Sequence, residues 1–156
     1  MIKIKHKLTF TALIMAGCFA VLASSAPQAQ AYGAHLKVTK IAAKHSGSHA
    51  STLTIQVESN IKGTFIPGGI WVGGISEASM TLTGAKKTNL GQLRAVNGHA
   101  CNGSTTAYTC HTYSRYFKNI THGKIIAGKL KFCMPMHWGP LTVGHHCATK
   151  AFRVRL

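Results

Sequence analysis

Glu58 and Glu77 are the only carboxylate side chains in this chain, set against eighteen lysines and arginines and ten histidines. Acid–base chemistry therefore has few players. Glu58 alternates with Gln56 and Thr54 on the polar side of a strand pattern, and Glu77 follows Gly73-Gly74, so no spacing pairs the two carboxylates. A Ser-His-Asp triad has no Asp, although Glu can take that place. One mechanism needs no carboxylate: phosphodiester cleavage by two histidines and a lysine. Lys118 and His122, with His111 nearby, supply those residue types, and a positive field would hold RNA. A cationic, metal-independent nuclease or toxin is thus the enzymatic alternative.

Binding chemistry is better supplied. The segment from His111 to Lys118 mixes rings with cations: Tyr113 and Tyr116 can stack on bases or sugars, while Arg115 and Lys118 pair with phosphate or sulfate. Further along, Lys129 and Lys131 alternate with apolar residues, and so do Arg153 and Arg155. Alternate residues of a strand share a face, so pairing of these two strands would build one basic patch. The expected partner is anionic, because so positive a field attracts counter-charge and repels cations.

Metal chemistry has weaker footing. His45 and His49 are separated by Ser46-Gly47-Ser48, a loop composition, and His145 and His146 are adjacent, which on a strand sends them to opposite faces. The segment Phe132-Cys133-Met134-Pro135-Met136-His137 resembles the copper-ligand loop of cupredoxins over these six residues. That resemblance implies a free Cys, a distant upstream His such as His99 or His111, and a downstream Met, where this chain has Leu141. A soft-metal site from Met134, Met136 and His137 is the looser form of the same alternative, a periplasmic carrier of copper. Nothing else in the chain implies a cofactor.

The cysteines indicate compartment. Cys101, Cys110, Cys133 and Cys147 lie in the last third, and an even number in an exported chain reads as two disulfides. Cys101 with Cys110 and Cys133 with Cys147 is the favoured pairing, because each pair brackets a segment containing Gly and Thr that can turn back. Export is indicated by Lys3, Lys5 and Lys7, by the apolar stretch Leu8 to Ala23, and by Ala29-Gln30-Ala31. Residues 1–31 read as a signal peptide cleaved before Tyr32, leaving 32–156 as a single β domain with no membrane span. Met15-Ala16-Gly17-Cys18 resembles a lipoprotein lipobox, but apolar residues continue past Cys18. With three lysines in the leader, the formal charge of +16 becomes +13.

The elements that must position these residues are strands. Thr52-Leu53-Thr54-Ile55-Gln56-Val57-Glu58 alternates with period two, and so do Met80-Thr81-Leu82-Thr83, Lys129 to Phe132 and Phe152 to Leu156. Another strand starts at Leu36-Lys37-Val38-Thr39, and Lys44 to Ser51 reads as a Ser/His/Gly loop. Gly-rich punctuation separates these runs. The expected fold is all-β, a small disulfide-stabilised sandwich or barrel of about seven to nine short, mostly antiparallel strands. The expected function is a non-enzymatic, exported, cationic binding or surface protein that engages an anionic polymer, surface or acidic protein. A fibre subunit that self-associates by donating the Leu36–Thr39 strand is the structural variant. With so few carboxylates, the melting temperature is expected to change little between about pH 5 and pH 3.

Overall fold

The computed structural model describes residues 33–156, so the expected leader, its expected cleavage before Tyr32, and Cys18 lie outside the described residues. Ten strands and no helix are found among the described residues: β1 (Leu36–His45), β2 (Ala50–Asn60), β3 (Phe65–Ile66), β4 (Ile70–Val72), β5 (Glu77–Leu82), β6 (Lys87–Asn89), β7 (Gly91–His99), β8 (Thr105–Lys118), β9 (Ile125–Trp138) and β10 (Leu141–Arg155). The extra strands beyond those expected include β3, β4 and β6, which are too short to carry a period-two signal. The loop expected over Lys44 to Ser51 is shorter than its composition suggests. Lys44 and His45 pair with Thr52 and Ser51, and the Ser46 N–H donates to Ala50 O at 2.9 Å.

All pairings are antiparallel, and they make two sheets. One is four-stranded, in the order β1-β2-β8-β7. The other is built around β9, which takes β10 along one side and β4 and β5 end to end along the other. The two sheets pack as a small β-sandwich. Alternation explains which residues fill it. Leu53, Ile55 and Val57 on β2 are fully buried, and the Thr and Gln between them are not. From the other sheet Leu130, Phe132 and Met134 of β9 are equally buried, with Met80 opposite Leu130 on β5. Burying each such side chain stabilises the fold by about 1.5–3 kcal/mol.

Two disulfides hold this frame. Cys133–Cys147 joins residues directly opposite each other on β9 and β10, and Cys101–Cys110 ties the β7–β8 turn to β8. The pairing is the one that the intervening turn segments favoured. Gly128 sits where β9 passes β5 so closely that a β-carbon would strike the Thr81 carbonyl oxygen. Only glycine allows that register.

Candidate anion-binding faces

The register places the cations on the outward sides of the two sheets. On the four-stranded sheet, Lys37, Lys40 and Lys44 of β1 lie opposite Glu58, Gln56 and Thr52 of β2. Those residues in turn face Cys110, Thr112 and Tyr116 of β8, and Arg94 of β7 lies opposite Thr112. Lys118 lies further along the same side of β8, opposite Ala50. The result is a flat floor of Thr52, Thr54, Gln56, Thr112 and Ser114 with five exposed cations around it. Shallow depressions mark its two ends. One, of about 410 Å³, is lined by Lys37, Lys40, Gln56, Glu58 and Asn102. The other, of about 360 Å³, is lined by Ser48, His49, Tyr116 and Lys118.

The carboxylate on this side is already engaged. Glu58 accepts from the His35 ring at 2.9 Å and from the Cys101 N–H at 3.2 Å. The His35 N–H donates to Asn60 Oδ1 at 2.6 Å, and its ring stacks on Tyr108. Glu58 therefore fastens the segment before β1 to the disulfide turn, and no lysine among the described residues is ion-paired to it.

The outward side of the second sheet carries the basic patch expected from the alternation. β9 and β10 do pair, with Lys129 opposite Ala151 and Lys131 opposite Thr149, and with Arg153 and Arg155 further along β10. The patch is not four free cations, however. Lys131 Nζ lies 3.0 Å from Glu77 Oε2, and Lys87 from β6 lies 2.6 Å from Oε1. The buried Ser79 hydroxyl donates to the same carboxylate at 3.1 Å. The Lys87 and Lys131 ammonium groups hold Glu77 at about 2, well below its ordinary 4.5. Lys129, Arg153 and Arg155 have no carboxylate partner among the described residues.

Several expected site residues are elsewhere. Tyr113 does not face a partner: it is 2% exposed, packed against Phe132 in the sandwich, and desolvation pushes its hydroxyl up to about 12. It shares the inward side with Leu53 and Ile55, so alternation separates it from Tyr116 and Lys118. Arg115 follows the inward parity of Tyr113 but is exposed, opposite Leu53 and beyond the start of β7. Tyr116 is 49% exposed and joins the four-stranded face. Of the eight expected contacts, Tyr116 and Lys118 thus lie on the four-stranded face and Lys129, Lys131, Arg153 and Arg155 on the opposite side of the sandwich, while Tyr113 is in the core.

The soft-metal site is also corrected. Met134 is wholly buried in the core, while His137 projects from the other side of β9 and stacks on Trp71 at 4.1 Å. Met134 and His137 are an odd number of residues apart, so a strand cannot converge them. Cys133 is a disulfide partner, which removes the thiolate that a cupredoxin loop requires. No group of three His, Cys, Asp or Glu side chains suited to a metal is found among the described residues. The nuclease residues are not assembled either. His111 is buried, its Nε2 2.9 Å from Ser59 Oγ, and Lys118 lies about 23 Å further along β8. Ser59 Oγ also lies 2.9 Å from Asn60 O, and the buried His111 Nδ1 has no hydrogen-bond partner among the described residues. Burial pushes its pKa down. His122 instead stacks on His45 at 3.9 Å. The Leu36–Thr39 segment is paired within its own chain, to β2.

Fold and surface together define a disulfide-bonded antiparallel β-sandwich with a cationic face on each side. Comparison with protein-family models, with curated proteins and with solved structures finds no match to the chain. Two disulfides are consistent with an exported protein, and no helix among the described residues is long and apolar enough to cross a membrane, which says nothing of β-barrels.

Proposed function

We propose that this is a non-enzymatic, exported, cationic binding protein that takes an extended anionic polymer along the outer face of the four-stranded sheet. It works in an oxidising setting, in the periplasm, at the cell surface or in the medium. The observation that carries this reading is the row Lys37, Lys40 and Lys44, with Arg94 and Lys118, around a floor of hydroxyl and amide groups whose single carboxylate is already bonded. Seven residues of strand separate Lys37 from Lys44, about 23 Å, which spans several monomers of a polyanion. Hydroxyls and Gln56 add hydrogen bonds to sugar or phosphate oxygens, and Tyr116 at one end offers a ring to stack on.

The test removes equal charge from each side. Lys37→Gln, Lys40→Gln and Lys44→Gln together, compared with Lys129→Gln, Arg153→Gln and Arg155→Gln together, leave identical net charge. Binding of labelled heparin fragments is followed by anisotropy across a salt series. The first set should lower the slope of log K against log salt by roughly 2–3, as three counterion-releasing contacts would, and the second by less. Equal losses would mean that net charge alone binds, and a larger loss from the second set would move the site to β9 and β10.

A further inference from the structure

Both tryptophans of the chain, Trp71 and Trp138, sit at one end of the molecule, on two hairpins brought side by side. β4 pairs with the end of β9, placing Trp71 opposite His137 with the rings stacked. The Trp71 indole N–H donates to Gly139 O at 3.2 Å and so fastens the β3–β4 hairpin to the β9–β10 turn. Trp138 lies close over Gly69, where a β-carbon would come within 3.6 Å of its Nε1 and where φ is +73°. Around these indoles, exposure runs from 52% for Val143 through Trp138 and Leu141 to 70% for Phe65. Single exposed apolar residues are ordinary, but here four large ones lie on two adjoining hairpins, Phe65 on the side of the sheet that carries Trp71 and His137, and Trp138 with Leu141 on the other, so this end of the sheet is apolar on both sides.

We propose that this two-hairpin tip docks the protein on an anionic bilayer surface, with Phe65, Trp138, Leu141 and Val143 entering the headgroup region. Projecting turns suit insertion into a soft interface better than fitting a rigid groove, and aromatic rings are favoured at that depth. Neither hairpin contains a carboxylate, while Lys62 and His145 lie on the adjoining segments. Residues 33–156 carry a formal charge of +13, counting out Lys3, Lys5 and Lys7. A second copy of the chain would bring the same charge and be repelled, whereas acidic headgroups attract it. The tip is separate from the polymer-binding face, and the inference stands without that reading.

Because both tryptophans are on the tip, intrinsic emission of the purified protein reports on it directly. Phosphatidylcholine vesicles containing phosphatidylglycerol should shift the emission to shorter wavelength, and acyl-brominated lipid should quench it. Vesicles of phosphatidylcholine alone should bind about tenfold more weakly. The variant carrying Phe65→Ser, Leu141→Ser and Val143→Ser keeps both reporters and should partition about tenfold less. If that variant does not fold, Leu141→Ser alone should give about a threefold loss. Three outcomes would overturn the proposal. One is vesicle binding with unchanged emission and no quenching, which means adsorption through the basic faces. Another is partitioning unaffected by the tip substitutions. The third is an emission shift that follows protein concentration without lipid, which means that a second copy covers the tip.

Discussion

Glu77 makes acid stability a sensitive probe of the second sheet. Its carboxylate gathers Lys87 of β6 and Lys131 of β9 onto β5, so one group links three strands. Its folded pKa is depressed to about 2, so the stabilisation is fully present above the unfolded value near 4.5 and is lost as pH falls from there towards 2. That difference taken whole would correspond to about 3 kcal/mol. Both lysines are about half exposed and Glu77 a quarter, so solvent screening reduces the net to about 1 kcal/mol. For a domain of this size such a loss lowers the melting temperature by about 4 °C. The flat acid profile expected from composition is therefore replaced by a measurable step. Thermal unfolding followed by circular dichroism at about pH 7, 5 and 3 should show the parent losing a few degrees over the acid step. Glu77→Gln should start lower at neutral pH, because Lys87 and Lys131 then face each other unscreened, and should lose less between about pH 5 and pH 3. Parallel curves for parent and variant across that window would refute the reasoning.

His111 controls the next window up. Its folded pKa is depressed by burial, so its contribution is present above the unfolded value near 6.5 and is lost as pH falls below it. His111→Phe keeps a ring in the core and should abolish that part of the decline between about pH 7 and pH 5 in a melting series. Gly128→Ala should cost about 2 kcal/mol or more in urea unfolding, because the new methyl forces β9 away from the Thr81 carbonyl of β5. Native labelling should find none of Cys101, Cys110, Cys133 and Cys147 free. Replacing Cys133 and Cys147 by Ser should destabilise by about 3 kcal/mol, and replacing Cys101 and Cys110, which close the shorter loop, by somewhat less.

Much of the frame was legible because a strand's period is short and strict. Leu53, Ile55 and Val57 announce their own burial, and Lys129, Lys131, Arg153 and Arg155 announce one exposed side of two strands that do pair. The disulfides followed from the turns between their cysteines. What one strand's pattern does not contain is register. That Lys131 meets Glu77, and that Lys87 joins them from β6, depends on how three strands slide past one another. The same holds for Lys37, Lys40 and Lys44, whose shared face with Arg94 and Lys118 exists only once β1, β2, β8 and β7 are aligned. Tyr113 is a different case. Alternation along β8 separates it from Tyr116 and Lys118, and treating His111 to Lys118 as one mixed surface overlooked that. The apolar tip had a signal too, because Trp138-Gly139-Pro140-Leu141 puts bulky apolar residues at a turn where polar ones would be easier to solvate.

The scarcity of carboxylates takes on a sharper meaning once the two are located. Each ties down polar groups that come from different parts of the chain, Glu58 at His35 and Cys101, Glu77 at Lys87 and Lys131. Neither compensates the row on β1 or the arginines on β10, so those cations are left to external counter-charge. Their mutual repulsion is limited by the architecture. Stacked sheets lie about 10 Å apart and the side chains project outward from both, so the two cationic faces are separated by more than the Debye length of about 8 Å at physiological salt. Each face therefore holds its counterions independently of the other. Charge removed from β1 should change the salt dependence of binding on its own side and leave that of the β9–β10 side as it was, an independence that a uniformly charged surface would not show.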